Sequence, residues 1–328
     1  MARDPSIRNL VKTVTIRSAG ALGPFSLCLA RKLSQVETLE FVGKRWPLVE
    51  WKPILFHVDL FAHMNATFET VTHLSLFHVE FASVVIFGRL LSALPRLVTL
   101  VCRRIYFKTC TVILGAARPP KNLIRLKLED GSGVVDYLDA ISSAIHLVDL
   151  TVWFEDESEV RQCNRMLQVA GTSLSSLHID TNGLRGQASD IKLMQNVNLQ
   201  VFVLTVSTRA QFVGWLSAIG SGMLPRQLRE IRILLSELNP RTDPKDLLAS
   251  NGGNFYGRID DLLTGPSYLN LNLVSVELRP AIYLTRREYT KHVPTQDEWW
   301  NCLSSRFPQL CAQGILRLAT LLWSTLNG

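Results

Sequence analysis

The sequence predicts an α/β fold built as a solenoid, and three observations predict it. A short apolar rhythm, L-x-x-L-x-L with Leu exchanged freely for other aliphatic residues, Phe or Cys, recurs about ten times. Between Val71 and Leu199 the starts of successive copies lie 26, 26, 24, 27 and 25 residues apart, the near-constant step of coils that stack on one another. The positions between the apolar ones stay polar: Lys12, Glu40, Arg125, Lys127, Asp149, His178, Arg229 and Arg232. A doubly wound sheet, the competing α/β architecture, covers both faces of its central strands, which then read as unbroken apolar runs. A sheet with one open face explains the polar residues better.

The stretch Leu174-Ser-Ser-Leu177-His-Ile179-Asp-Thr-Asn182-Gly-Leu184 fits the full pattern L-x-x-L-x-L-x-x-N-x-L at every specified position. The fold class expected is therefore a leucine-rich-repeat solenoid: a horseshoe with a parallel concave sheet of ten or eleven strands and helices outside it. Asn stands at the ninth position only here, so the usual ladder of buried Asn bonds is missing and uneven turns are expected. One repeat cannot offset its own ordering entropy, about 1–2 kcal/mol per residue for the backbone, with a few buried side chains worth about 1.5–3 kcal/mol each. The array is stable only as an array, and residues 1–328 are expected to form one domain.

Taken in order, Leu10–Arg17 is the first strand, with Val11, Val14 and Ile16 facing in. Pro24–Leu33 reads as its return helix, with Pro24 at the start. Val36, Leu39 and Phe41 mark the second strand; Trp46–Met64 reads as an insertion, in an irregular region near residues 44–68, ending in a short helix. The regular array opens at Val71/Leu74/Leu76 and continues through Leu97/Leu100/Cys102, Leu123/Leu126/Leu128, Leu147/Leu150/Val152, Leu174/Leu177/Ile179, Leu199/Phe202/Leu204 and Leu228/Ile231/Ile233. Helices are expected over Ala82–Leu94, ended by Pro95, then over Val134–Ile145, Ser158–Ala170 with Gly171 as its stop, and Arg209–Ile219. Phe81 and Phe107 should plug turns after the third and fourth strands. A second irregular region, residues 236–270, holds the turn signals Asn239-Pro240, Asp243-Pro244, Ser250–Asn254 and Gly265-Pro266, and a helix near Tyr256–Leu263. Leu273/Val276/Leu278 is the next copy. Residues 295–328 read as a cap with a helix at Thr295–Phe307 and a last degenerate strand.

The totals exclude several function classes. An apolar fraction of 47% supports a large core, and a net charge of +7 is spread over 328 residues with no run of five like charges, so a nucleic-acid partner is not expected. Six scattered cysteines form no C-x-x-C pair and sit at no zinc-ligand spacing with His, which predicts reduced thiols and an intracellular protein of the cytoplasm or nucleus. The N-terminal residues lack the apolar core of a secretory signal, and no stretch reaches the length of a membrane span. Asp130-Gly-Ser-Gly133 is too short for a phosphate loop, and there is no G-x-S-x-G or H-E-x-x-H. His73 and His78 read as surface and turn residues, and Glu155–Glu159 as a solvated turn before a helix. No catalytic residue, cofactor or metal is expected.

What remains is a surface. Side chains at the third, fifth and seventh positions of each repeat line the open sheet face, and there Phe77 and Trp153 stand out as large apolar groups, with Arg103, Arg125 and Lys127 between them and His178 beyond. Aromatic and Arg anchors are the usual energetic centre of a protein interface. These six residues are the expected partner-binding set, for a protein partner, on a monomer. An enzyme on a doubly wound fold and a nucleic-acid binder using the basic excess are the alternatives. The first needs helices on both sheet faces and a cleft at the strand ends; the second needs a continuous positive stripe.

The wording of the repeats resembles the F-box-associated leucine-rich-repeat proteins of mushroom-forming fungi. Val71-Thr-His-Leu-Ser-Leu-Phe-His-Val-Glu-Phe81, Leu90-Leu-Ser-Ala-Leu-Pro-Arg-Leu-Val-Thr-Leu100 and the ending Phe307-Pro-Gln-Leu-Cys-Ala-Gln-Gly-Ile-Leu316 carry the resemblance. It implies a ribonuclease-inhibitor-like horseshoe that presents substrates to a cullin-type ubiquitin ligase. The F-box itself is absent: only nine residues precede the first strand region, and Leu224-Pro-Arg-Gln-Leu-Arg-Glu-Ile231 falls inside the ninth repeat. Contact with the ligase's linker subunit is therefore expected only if an F-box is encoded upstream.

Overall fold

The computed structural model describes residues 10–29, 32–33, 35–43, 49–51, 58–110, 120–141, 145–154, 158–181, 191–220, 224–236, 255–279 and 295–320. It divides into two compact units, the first comprising Met1–Thr151 with Gln168–Ala170, the second Val152–Leu167 with Gly171–Gly328.

The first unit contains strands β1 (Thr13–Ile16), β2 (Thr38–Val42), β3 (Val49–Trp51), β4 (His73–Phe81), β5 (Thr99–Phe107) and β6 (Arg125–Glu129). Strand β7 (Asp149–Trp153) begins there and ends in the second unit. The main sequence of neighbours, β1-β2-β4-β5-β6, follows the chain, and β3 pairs with the far end of β4. The register is the same at each step. Val14, Leu39, Leu74, Leu100 and Leu126 form one row across the strands, and Ile16, Phe41, Leu76, Cys102 and Leu128 the next. Every side chain in both rows is buried. A single carbonyl just before each strand accepts from the following strand: Lys12 O from Thr38 N, Glu37 O from His73 N, Thr72 O from Thr99 N, Val98 O from Arg125 N and Ile124 O from Asp149 N. Backbone polar groups are thus satisfied by the neighbouring coil, and for that reason the repeats hold only in series.

The second unit repeats the plan with β8 (Ser176–Asp180), β9 (Val201–Val206), β10 (Glu230–Ser236), β11 (Leu273–Arg279) and β12 (Leu316–Thr320), parallel and in chain order. Its rows are Leu177, Phe202, Ile231, Val274, Leu316 and Ile179, Leu204, Ile233, Val276, Leu318. Among the described residues neither unit shows the reversal of strand order that defines a doubly wound sheet. The architecture is an α/β leucine-rich-repeat solenoid.

The helices of the first unit are α1 (Ala19–Leu29), α2 (Val58–Thr67), α3 (Val84–Ser92) and α4 (Ser132–Ala140). They pack behind the buried rows. Ser83 caps α3 by accepting the Ile86 N–H, and Phe87 on α3 meets Phe81, Phe107 and Tyr137 edge-on at 5.5, 5.6 and 5.4 Å. Phe81 and Phe107 fill the turn as expected, but from the ends of strands three residues or more longer than the repeat rhythm suggests. Helix α5 (Ser158–Ala170) runs mainly in the second unit and stops at Gly171, whose φ of 49° suits glycine. Beyond it come α6 (Arg209–Gly220), α7 (Phe255–Thr264), α8 (Gln296–Arg306) and α9 (Pro308–Ala312). Thr295 and Glu298 cap α8 reciprocally, and α8 buries Trp299 while Trp300 stays half-exposed.

Several expectations need correction. Pro24 lies inside α1 rather than at its start; the helix begins five residues earlier, where Ser18 O accepts the Ala21 N–H. The copy assigned to Leu273/Val276/Leu278 is Leu271/Val274/Val276, because β11 is in register Ile231↔Val274 and Ile233↔Val276. A slip of two keeps every side chain on its face, so alternation could not reveal it. What fixes the register is a turn that precedes each first position: the N–H of Val71, Leu97, Leu123, Leu199, Leu228 and Leu271 donates three residues back, to Phe68, Leu94, Pro120, Asn196, Pro225 and Tyr268. Glu159 is 6% exposed, not solvated. Asn182, Trp46, Glu155–Glu157 and the turn signals from Asn239 to Asn254 lie outside the described residues.

Candidate functional site

The side chains that alternate with the buried rows form an open lattice, and each unit presents its own. In the first unit the strands place Thr13, Thr38, His73, Thr99, Arg125 and Asp149 along one line, Thr15, Glu40, Ser75, Val101 and Lys127 along the next, and Val42, Phe77, Arg103 and Glu129 along a third. Most are exposed or half-exposed; Thr99, at 5%, is shadowed by longer neighbours.

Phe77 and Arg103 are partners. The guanidinium carbon of Arg103 lies 5.8 Å from the centre of the Phe77 ring, a cation–π contact worth about 0.5–1 kcal/mol at such a site. Its Nε is 2.7 Å from Glu129 Oε2, and Arg104 Nε approaches Glu129 Oε1 at 3.6 Å. The Arg103 side chain remains 40% exposed, so this charge contact contributes at most about 0.2–1 kcal/mol. It does, however, fix where the guanidinium stands. Glu129 was absent from the expected set. The signal was present in the spacing, since Arg103 and Glu129 are both seventh positions of successive repeats and must be cross-strand neighbours.

Arg125 and Lys127 behave differently. They are successive outward residues of β6, both exposed, and among the described residues neither forms an ion pair. Asp149, beside Arg125 on the line above, is half-buried, and burial pushes its carboxyl above the usual range although Lys127 and Arg125 pull it down. Elsewhere on this face charges are matched: Lys12 with Glu37 at 2.6 Å, holding that carboxyl below its ordinary range, and Glu40 with the Thr15 hydroxyl at 2.9 Å.

A second feature escaped the sequence. At the eighth repeat position His78, Arg104 and Asp130 adopt φ of 53°, 56° and 47°, whereas Gly43, the equivalent residue of the second repeat, is not in the positive-φ region. The strands jog there, so that Val79 and Ile105 turn inward where strict alternation would have pointed them out. The Tyr106 hydroxyl donates to Asp130 Oδ2 at 2.9 Å, bridging two jogs. His78 thus has a backbone role, while His73 is exposed on the face with its Nδ1 2.8 Å from the Thr72 hydroxyl.

In the second unit Trp153, at the end of β7, and His178, on β8, are both half-exposed. His178 Nε2 lies 2.8 Å from the buried Thr205 hydroxyl, and Thr205 O accepts the Thr181 N–H and hydroxyl at 2.9 and 2.8 Å. The His178 ring is therefore oriented by the strand beside it. Arg232 pairs along its own strand with Glu230, which raises the guanidinium further. Of the six expected residues, the structure joins Phe77 and Arg103 directly, sets Arg125 and Lys127 side by side, and places Trp153 and His178 on the other unit's face. Among the described residues no group of three His, Cys, Asp or Glu could hold a metal, and no helix is long and apolar enough to cross a membrane.

No protein-family profile matches the chain, and no curated protein matches it. Among solved structures it is similar to the crystal structure of an internalin (inlF) from Listeria monocytogenes str. 4b F2365, with 10% identity over 88% of this chain and 86% of that one and a TM-score of 0.31, a likeness too slight to carry function.

Proposed function

We propose that the chain is a non-catalytic protein-interaction scaffold, that its repeats act as one domain, and that the open sheet face is its binding surface. The observation that carries this reading is the alternation of burial along β1, β2, β6 and β8 and through the first half of β4, one side chain sealed in the core and the next left at least partly to solvent, with Phe77, Arg125 and His178 among the latter. Phe77, Arg103, Arg125, Lys127, Trp153 and His178 are the proposed contacts. Arg103 supports the role best, because Phe77 and Glu129 hold its guanidinium in place before a partner arrives, which lowers the ordering cost of binding.

The resemblance in the repeat wording supports a finer version, in which the scaffold is the substrate-recognition part of an F-box ubiquitin-ligase receptor working in the cytoplasm or nucleus. A stand-alone repeat protein serving another partner is the second reading. Co-purification of the full-length gene product with a tagged ligase linker subunit distinguishes them. Recovery of the linker supports the receptor role; its absence when an intact F-box is expressed removes that role and leaves the scaffold. The variant Phe77→Ala/Trp153→Ala tests the scaffold itself, since it should lose the partners that the unaltered chain retains.

A further inference from the structure

Arg125 and Lys127 point to the chemistry of the partner. They are two residues apart on β6 and face the same way, so their Cα atoms stand about 7 Å apart along the strand. An extended peptide has the same period, and carboxylates on alternate residues would meet both cations at once. The neighbouring outward residue on β5, Val101, is half-exposed and lies beside Lys127, with Phe77 diagonal to it across β4. Within this unit the other cation of the lattice lines, Arg103, is already in contact with Glu129, whereas among the described residues neither Arg125 nor Lys127 forms an ion pair. Asp149, on the neighbouring strand, is half-buried, and burial raises its carboxyl although Lys127 and Arg125 pull it down.

We propose that Arg125 and Lys127 form the docking point for an acidic, extended segment of a protein partner, with carboxylates on alternate residues and an apolar side chain laid against Val101 and Phe77. This rests on the scaffold reading and adds the partner's chemistry to it. A nucleic acid suits the surface less well. Its phosphates need a continuous positive track, and here the two cations are flanked by Glu129 on their own strand and Asp149 on the next.

The test uses a phage-displayed library of random dodecapeptides panned on the whole chain, with fluorescence anisotropy of the recovered peptides against the chain and against Arg125→Glu/Lys127→Glu. Both residues are exposed, so the variant should keep the far-ultraviolet spectrum of the parent and a cooperative melt, with a midpoint lowered only by the lost attraction to Asp149, and these are measured first; Arg125→Gln/Lys127→Gln serves if the reversal disturbs folding. The expected result is enrichment of Asp or Glu at alternate positions, an affinity about tenfold or more weaker for the charge-reversed chain, and weakening with added salt. Recovered peptides that are neutral, or that bind both chains equally, overturn the acidic-segment proposal while leaving the scaffold standing. Recovery of no peptide at all overturns both. A single-stranded DNA oligonucleotide that binds the parent more tightly than the peptides, and loses binding in the variant, overturns the proposal in favour of nucleic acid.

Discussion

The Asp260 carboxylate, on α7, caps the backbone of Leu310, on α9: Oδ1 accepts the Leu310 N–H at 2.9 Å, and Oδ2 accepts that of Gln309 at 2.7 Å. Helix α9 begins with Pro308 at its first position, and Phe307 before it offers no side-chain acceptor. The orphan donors of its first turn are satisfied from another helix. Asp260 is 1% exposed and Leu310 fully buried, so Asp260→Ala strands the Leu310 donor away from water and leaves the partly buried donor of Gln309 without its partner. We expect a loss of about 1–3 kcal/mol in urea unfolding, with faster amide exchange at 309–310; Asp260→Asn, which keeps one acceptor oxygen, should lose less. A change below about 0.5 kcal/mol in Asp260→Ala would show the cap to be dispensable.

This cap marks the boundary of what the sequence reveals. The apolar rhythm located the strands because each core position repeats a local chemical choice, and Ser158–Ala170 with its Gly171 stop was readable for the same reason. Contacts between elements leave no such trace. Nothing near Pro308 announces that its cap is Asp260, and nothing in Leu273 says that Leu271 is the first core residue of its repeat. The site divides in the same way. The outward residues follow from alternation and the neighbourhood of Arg103 and Glu129 from their shared repeat position, whereas the contact itself and the lack of an ion pair for Arg125 and Lys127 among the described residues require the positions of the side chains around them. The jogs at His78, Arg104 and Asp130 were invisible because none of the three positions holds a glycine to mark the positive φ.

Gly43 provides a sharp test of the close approach between β2 and β4 beside His78. A Cβ built there would lie 1.9 Å from the carbonyl oxygen of His78, which is backbone and has no rotamer to yield. The Gly43 N–H also donates to Phe77 O at 2.7 Å, drawing the two strands together. Gly43→Ala must push β2 and β4 apart, and we expect it to cost about 1–3 kcal/mol, the usual range for overpacking. Gly23→Ala, where a Cβ meets nothing within 4 Å, is the control and should be close to neutral. Equal denaturation midpoints for the two variants would refute the close approach.

The six thiols are free and unequal. Cys102 sits in the buried row between Leu76 and Leu128, where burial pushes its thiol well above the usual range; Cys163, on α5, is pushed up to about 12 by the same cause. Cys28 and Cys110 are exposed. With a disulfide reagent at pH 8 the two exposed thiols should react first, and Cys102 and Cys163 only as fast as the chain unfolds. Mass mapping of the labelled sites checks this. Early labelling of Cys102 would mean that the row is not sealed.

Asp149 makes stability fall as pH rises. Its folded-state pKa is raised, so in the interval between the ordinary carboxylate value and that raised value the folded chain holds a proton that the unfolded chain has released. The penalty is absent below the ordinary value and complete above the raised one. Asp149→Asn removes it. The variant and the parent should melt together near pH 3, and the variant should melt higher at pH 7. Arg125→Gln/Lys127→Gln acts in the opposite direction, because those cations partly offset the burial cost, and it should lower the parent's midpoint at pH 7 while leaving the Asp149→Asn chain almost unmoved. If Asp149→Asn instead melts lower than the parent at pH 7, the attraction of Lys127 and Arg125 outweighs desolvation. Asp149 would then be their true partner, and the case for an incoming carboxylate would weaken with it.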